Sequence, residues 1–194
     1  MPLPAVNREV IAAILSVLYL LLAIRQQISC WIAAFVSSCL YVWVYYDARL
    51  YMESLLSVFY AIMAIYGFIQ WRAAAGGPSL EVSRWPLRRH AMGFAATLVM
   101  SILTSFALRQ FTPAAWPFLD SMITWASVYA TFLVARKVYE NWYWWLVIDS
   151  VALVVYYARH LYPTLSLFVL YLLLIAPGMR AWRRELPVAT HVAV

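Results

Sequence analysis

The stretch SVLYLLLAIRQQISCWIAAFVSSCLYVWVYYDARLYMESLLSVFYAIMAIYGFIQWR, residues 16–72, returns as SVYATFLVARKVYENWYWWLVIDSVALVVYYARHLYPTLSLFVLYLLLIAPGMRAWR, residues 127–183. The two align without a gap at an offset of 111 residues. Ser16-Val17 meets Ser127-Val128, Leu22 meets Leu133, Arg25 meets Arg136 and Trp31 meets Trp142. The register runs on through Val36/Val147, Val44/Val155, Tyr45-Tyr46/Tyr156-Tyr157, Leu50-Tyr51/Leu161-Tyr162, Leu56/Leu167 and Val58/Val169. It closes on Tyr60/Tyr171, Gly67/Gly178 and Trp71-Arg72/Trp182-Arg183, seventeen identities in all. Shared apolarity would explain matched Val and Leu, but not matched Arg, Trp and paired Tyr at one unbroken offset. Each copy holds three apolar runs, so each reads as a three-helix unit.

The rest of the chain continues that pattern. Of its 194 residues, 66% are hydrophobic and 11% charged, where a soluble domain carries roughly 25% charged residues. Crossing the hydrocarbon core takes about 20 mostly apolar residues. Runs of that kind lie at 10–24, 28–46, 54–71, 91–108, 121–135, 141–158 and 161–179, the sixth broken only by Asp149. The expected fold is therefore an all-α polytopic membrane protein with seven transmembrane helices. Two parallel three-helix repeats are joined by a linker helix in a 3+1+3 order. The segments are 1–72, a loop and linker helix at 73–116, a second repeat at 117–184, and a tail at 185–194. Four spans separate equivalent positions, so the copies point the same way through the membrane. Secondary transporters are often built so, with the substrate held between repeats near the midplane.

The 14 Lys and Arg residues fix an expected orientation. Arg8, Arg49, Arg109 and Arg159 fall on one side and the other ten on the opposite side, which the positive-inside rule places in the cytoplasm. The amino terminus is then outside and the carboxyl terminus inside. The net charge of +6 is accounted for by this collar and calls for no nucleic-acid partner. Arg8 is balanced by Glu9 and no basic n-region is evident, so the first span is expected to serve as the targeting signal. Cys30 and Cys39 share one span and read as small packing residues.

An ionisable residue at membrane depth is expensive and marks a functional position by default. Asp149 is the sharpest case. At 100° per residue, Trp142, Trp145, Asp149 and Tyr156 share one face, an aromatic wall with a carboxylate at its centre. Such a face suits a flat cationic ring, held by stacking and cation–π attraction. The plainer reading bonds Asp149 to a neighbouring helix and leaves Trp142 in an interfacial belt. The first-repeat counterpart is Trp31, Ser38 and Tyr45, alike in shape but without charge, so the expected site is asymmetric. Span 5 aligns Asp120, Thr124, Ser127 and Thr131, a water-lined path or interhelical glue. Span 3 aligns Glu53, Ser57 and Tyr60, with Glu53 close to the interface. Other chemistry leaves no signature. There is no GxxxxGK[ST] phosphate loop, HExxH or GxSxG, and His90, His160 and His191 stand outside the spans. No catalytic residue, metal or cofactor is expected.

Several stretches resemble the bacterial nicotinamide riboside transporter family, PnuC. They are Asp120-Ser-Met-Ile-Thr124, Leu133-Val-Ala-Arg-Lys-Val-Tyr-Glu-Asn-Trp142 with Trp145 and Asp149, Leu161-Tyr162-Pro-Thr164, and Tyr66-Gly67-Phe-Ile-Gln70-Trp71. The likeness covers residues 9 to 184, and Glu-Asn-Trp-x-x-Trp-x-x-x-Asp is its most specific part. That family is similar in design to the SWEET sugar transporters. The resemblance implies facilitated uptake of a vitamin precursor across the bacterial inner membrane, trapping by a cytoplasmic kinase, and assembly as a homotrimer. It also implies that Trp142, Trp145 and Asp149 contribute to the substrate site. Asp at the last motif position and Glu53–Ser57 depart from the amide side chains that would suit a carboxamide. Thiamine, another flat cation, therefore stays open beside nicotinamide riboside. From other classes, an intramembrane enzyme using Asp120 and Asp149 and a non-transporting bundle subunit remain as alternatives.

Overall fold

The computed structural model describes residues 5–47, 51–73, 80–111, 116–158, 160 and 162–187. They form seven helices: α1 (Ala5–Ile24), α2 (Cys30–Asp47), α3 (Tyr51–Ala73), α4 (Leu87–Phe111), α5 (Pro117–Ala135), α6 (Asn141–Ala158) and α7 (Tyr162–Arg184). The segments Ser54–Arg72, Leu87–Phe111, Pro117–Ala135 and Leu165–Arg184 are long and apolar enough to cross a membrane. Of the positions singled out above, Arg49, Arg159 and the side chains of Glu53, Pro163 and Thr164 lie outside the described residues, as does the tail from 188.

Five helices, α1, α3, α4, α5 and α7, run longer than the apolar runs. α4 starts at Leu87, directly after Pro86, whose carbonyl accepts the Arg89 N–H at 2.9 Å. Arg88, Arg89 and His90 thus fill its first turn, the two arginines exposed and His90 turned in toward Glu140 and Trp144. α7 continues through Pro177 to Arg184. Arg8, expected to be balanced by Glu9, reaches instead across to Asp47 of α2 at 2.9 Å.

The turn between α1 and α2 and the turn between α5 and α6 are built alike. α1 ends with Gln26 at φ 53° and α5 with Lys137 at φ 49°, the left-handed conformation that closes a helix at its C′ position. Gln27 N–H donates to Leu22 O at 3.0 Å, and Val138 N–H to Leu133 O at 2.9 Å. Gln26 bonds Ala23 O and Lys137 bonds Val134 O, both at 3.0 Å. These are the paired bonds of a Schellman motif. Neither position is glycine, so each holds a conformation that costs an L-residue roughly 1–2 kcal/mol. Lys137 also sets its Nζ 4.7 Å from the centre of the Trp71 ring. Burial pushes its ammonium below the usual lysine range, while Cys30 and Glu185 pull it back up.

Helix contact follows the same scheme. α1 packs on α2 and α2 on α3; α5 packs on α6 and α6 on α7. The two groups meet where α3 lies on α5 and α1 on α7. Gly67 of α3 admits the Trp31 indole, and Gly178 of α7 admits the Trp142 indole; a Cβ at either glycine would overlap the ring. Trp31 stands edge-on to Trp71 at 5.5 Å and Trp142 edge-on to Trp182 at 5.6 Å. The outer pair of indoles then bonds crosswise. Trp71 Nε1–H donates to Ala135 O of α5 at 3.2 Å, and Trp182 Nε1–H to Ala23 O of α1 at 3.0 Å. α4 stands apart, packed on α5 through the buried stripe Thr97, Ser101 and Ser105, small residues that let helices approach. Trp125 adds an indole bond to Thr104 Oγ1 at 3.2 Å.

The glycine cradles generate a test. Gly178→Ala forces a methyl into the Trp142 ring, and Gly67→Ala does the same to Trp31. Each substitution is expected to destabilise the detergent-solubilised protein by about 1–3 kcal/mol, the usual range for overpacking. Thermal unfolding reads this out, with the exposed Ala95→Gly as the control for helix propensity. An unchanged midpoint in both cradle variants would show that the rings are not held against the glycines.

Candidate functional site

Asp149 sits in the middle of α6 and is 4% exposed. Among the described residues its carboxylate has no hydrogen bond and no ion pair, the charged contacts being Arg8–Asp47 and His90–Glu140. What surrounds it is a group of tyrosines. Tyr60 of α3 and Tyr171 of α7 both lie within the electrostatic reach of Asp149. Tyr19 of α1 lies in turn beside both of these rings.

The two nearest tyrosines are held by serines across the seam. The Tyr60 hydroxyl is paired with Ser127 of α5, and the Tyr171 hydroxyl with Ser16 of α1. Ser16 Oγ stands 2.7 Å from Ser37 Oγ, and both serines reach the Ala12 carbonyl, at 3.0 and 2.9 Å. Tyr156 is the further neighbour of Tyr60, and Tyr41 and Tyr45 are those of Tyr171. Tyr156 also packs on Phe168 at 5.0 Å. Ser38, Ser57 and Ser127 are all buried in α2, α3 and α5. The arrangement offers rings, hydroxyls and a single carboxylate in a low-dielectric interior. It can hold a flat cation by charge, by π faces and by hydroxyl bonds.

The remaining candidates sit elsewhere. Trp142 and Trp31 are each 2% exposed and are taken up by the Gly178 and Gly67 cradles, about two turns from Asp149 and Ser38 along their helices. Trp145 is half-buried and touches both apolar clusters of the bundle. Thr124 and Thr131 turn their hydroxyls back to Asp120 O and Ser127 O, at 2.9 and 2.8 Å. This satisfies them within α5. Asp120 is half-buried in the first turn of that helix. Tyr171, Ser16 and Tyr19 were not singled out from the sequence. Tyr171 and Ser16 carried a signal all the same, as the equivalents of Tyr60 and Ser127.

Glu140, the opening of the Glu-Asn-Trp segment, fastens a strap, while Asn141 braces the turn beside it. Ser83 exchanges backbone bonds with the α5–α6 turn, its N–H to Lys137 O at 3.0 Å and its O from Tyr139 N–H at 2.8 Å. Glu140 Oε2 accepts the Trp85 N–H at 3.2 Å and lies 3.7 Å from His90 Nε2. Asn141 Nδ2 donates to Val138 O at 2.6 Å. Arg84 covers Tyr139, and Arg89 covers Trp85.

A seven-helix bundle that crosses a bilayer and encloses an unpaired carboxylate among tyrosines is built as a multi-pass membrane transporter. The chain belongs to the nicotinamide mononucleotide transporter family, which it matches over residues 7–184. It is 25% identical over 200 residues to the nicotinamide riboside transporter PnuC of Escherichia coli strain K12, covering 90% of this chain and 84% of that protein. It is 27% identical over 180 residues to the riboflavin/roseoflavin transporter RibM of Streptomyces davaonensis, covering 90% and 83%. Its fold matches the crystal structure of the vitamin B3 transporter PnuC with a TM-score of 0.75, at 23% identity over 92% of this chain and 81% of the other. These relatives are transporters, and the chain is a transporter of vitamin-precursor type rather than an enzyme.

The strap is testable in isolation from transport. Removing the Glu140 carboxylate by Glu140→Ala leaves the Trp85 N–H without its partner, a loss of about 1–3 kcal/mol for a bond to a charged group. Amide exchange at Ser83 and Trp85 is then expected to speed up roughly 5- to 150-fold, while exchange in α6 stays as it was. Equal exchange in wild type and variant would remove Glu140 from the strap.

Proposed function

We propose that this chain is a facilitative transporter of nicotinamide riboside, held between two like-oriented three-helix units. The units are residues 1–72 and 117–184, joined by the segment 73–116 that contains α4. The observation that carries the substrate class is Asp149. A buried charge without a partner is destabilising by several kcal/mol, and a cation seated against it removes that penalty. Nicotinamide riboside brings a fixed positive charge on a flat ring, and the PnuC relative points to that compound. Thiamine brings the same charge and is the alternative. The RibM relative raises riboflavin, whose larger ring has no fixed positive charge and would leave Asp149 uncompensated.

The 3+1+3 reading is supported by the equivalent Schellman turns, the equivalent glycine cradles and the crosswise indole bonds. It implies that the units rock about an axis along the membrane normal. Trp145, Tyr156, Ser57, Tyr60 and Ser127 complete the proposed binding wall. The count of basic residues supports an inner-membrane orientation with the amino terminus outside and the carboxyl terminus in the cytoplasm. Homotrimer assembly and trapping by a cytoplasmic kinase rest on the family resemblance.

Titration of the purified protein with nicotinamide riboside, thiamine and riboflavin ranks the three. Asp149→Asn keeps the shape and loses the charge, so affinity for the cation is expected to fall by about 1.5–3 kcal/mol, roughly 10- to 150-fold. Trp145→Ala should lose a comparable amount and Trp145→Phe less, because a π face remains. Wild-type affinity in a folded Asp149→Asn variant would take the carboxylate out of the site.

Transport itself gives the next expectation. Vesicles holding the protein should equilibrate substrate without ATP or an ion gradient, whereas accumulation above the outside concentration would reject facilitated diffusion. A carboxyl-terminal tag should be shielded from external protease, and labelling of a cysteine placed within 74–79 from outside the cell would reverse the orientation.

A further inference from the structure

The tyrosines and serines around Asp149 obey the same 111-residue offset as the chain. Tyr60 is equivalent to Tyr171 and Ser127 to Ser16, so the Tyr60–Ser127 and Tyr171–Ser16 contacts are images of each other across the seam. Their next neighbours match as well. Tyr156 stands by Tyr60 as its equivalent Tyr45 stands by Tyr171. Tyr19 of α1 lies within electrostatic reach of both Tyr60 and Tyr171.

Tyr41, Tyr19 and Ser37 have Ala152, Ala130 and Ile148 as their equivalents, and one further pair differs in charge. Asp149 of α6 corresponds to Ser38 of α2, and both are buried, at 4% and 9% exposure. Ser38, Tyr41 and Tyr45 fall on one face of α2 by their spacing of three and seven. Since Tyr41 and Tyr45 reach Tyr171, that face is turned toward the cage. Ser38 therefore occupies, in the first unit, the place that Asp149 occupies in the second.

Resting on the transporter reading above, we infer that the ligand site is a twofold cage. Tyr60 and Tyr171 are its equivalent polar arms, and the choice of a cationic over an uncharged ring is set by which of two equivalent positions, Asp149 or Ser38, carries a carboxylate. Each tyrosine is tied to a serine of the other unit, so either hydroxyl can turn from its serine to the ligand without crossing the seam. Asp149 is the one carboxylate among these equivalent positions, and it is movable. The cage with no carboxylate suits an uncharged flat ring.

The test is a charge transplant, read by binding of nicotinamide riboside and thiamine as cations and riboflavin as the uncharged ring. Asp149→Ser is expected to lose at least about tenfold in cation affinity. Ser38→Asp combined with Asp149→Ser is expected to recover the affinity to within about fivefold of wild type. A purely structural Asp149 predicts no recovery, because a second substitution at a distant serine would only add damage. A folded double variant that binds the cation as weakly as Asp149→Ser overturns the inference, while the transporter reading stands on wild-type binding.

Should the double variant fail to fold, Tyr60→Phe and Tyr171→Phe in the wild-type chain decide the matter. Losses of cation affinity within about threefold of each other support a twofold cage, and a loss confined to one tyrosine overturns it. Wild-type binding of riboflavin and of neither cation would overturn both this inference and the substrate reading.

Discussion

A bilayer gives apolar helices no solvent reason to associate, since lipid tails are as apolar as leucine; packing and polar contacts must do it. Everything else in this structure depends on how closely the third helix of each unit can approach the second. At Gly67 and Gly178 there is no Cβ, and the indoles of Trp31 and Trp142 fill the space where one would be. Those indoles present edges to Trp71 and Trp182, which sets the latter pair at the seam. Their N–H groups then find a carbonyl at the end of a helix in the opposite unit. Ala23 O already accepts the Gln26 N–H and takes the Trp182 indole as a second donor, while Ala135, the last residue of α5, has its carbonyl capped by Trp71. The glycine, the turn and the indole bond are one solution to one accounting problem.

The polar interior follows from the same seam. A tyrosine hydroxyl buried in a membrane protein needs a partner, and the nearest available one lies on the facing unit: Ser127 for Tyr60, Ser16 for Tyr171. A cluster built this way is polar, with its tyrosine–serine pairs repeated in both halves. Asp149 adds to it what neither packing nor hydrogen bonding requires, a charge. Packing therefore explains the cage but leaves the carboxylate unexplained, and the proposed cationic ligand would account for it.

Much of this was legible in the chain. The 111-residue offset identified which positions are equivalent, and the apolar runs located seven helices. Equivalence does not say which faces meet. Nothing in the sequence of Trp71 reveals that its indole donates to Ala135 rather than to its own unit, because that depends on α3 lying on α5. The helical wheel placed Trp142 on the Asp149 face correctly by angle, but angle carries no depth. Two turns toward the arginine-rich end, the same face meets Gly178 and becomes packing. Glu140 belongs to the Glu-Asn-Trp segment, and its carboxylate holds the Ser83–Trp85 strap. That link joins residues over fifty apart, which no local pattern encodes. Tyr171 and Ser16 are legible only through the repeat, which pairs them with Tyr60 and Ser127; within their own spans nothing marks them.

On the proposed rocking mechanism, the energies of the two seam contacts have to be commensurate. Opening the arginine-rich end breaks the two crosswise indole bonds, each worth about 0.5–1.5 kcal/mol net. Together that is about 1–3 kcal/mol holding the end shut. A cation closing on Asp149 supplies an interaction of about the same size, since a hydrogen bond to a charged group contributes about 1.5–3 kcal/mol. A ligand shifts such an equilibrium only by its differential affinity for the two states. A latch much stronger than the ligand contact would trap the bundle closed, and one much weaker would leave it open with the cage empty. Two indole bonds against one ion contact sit between these limits. That balance is what facilitated movement of one small cation at a time requires, with no gradient to supply the difference.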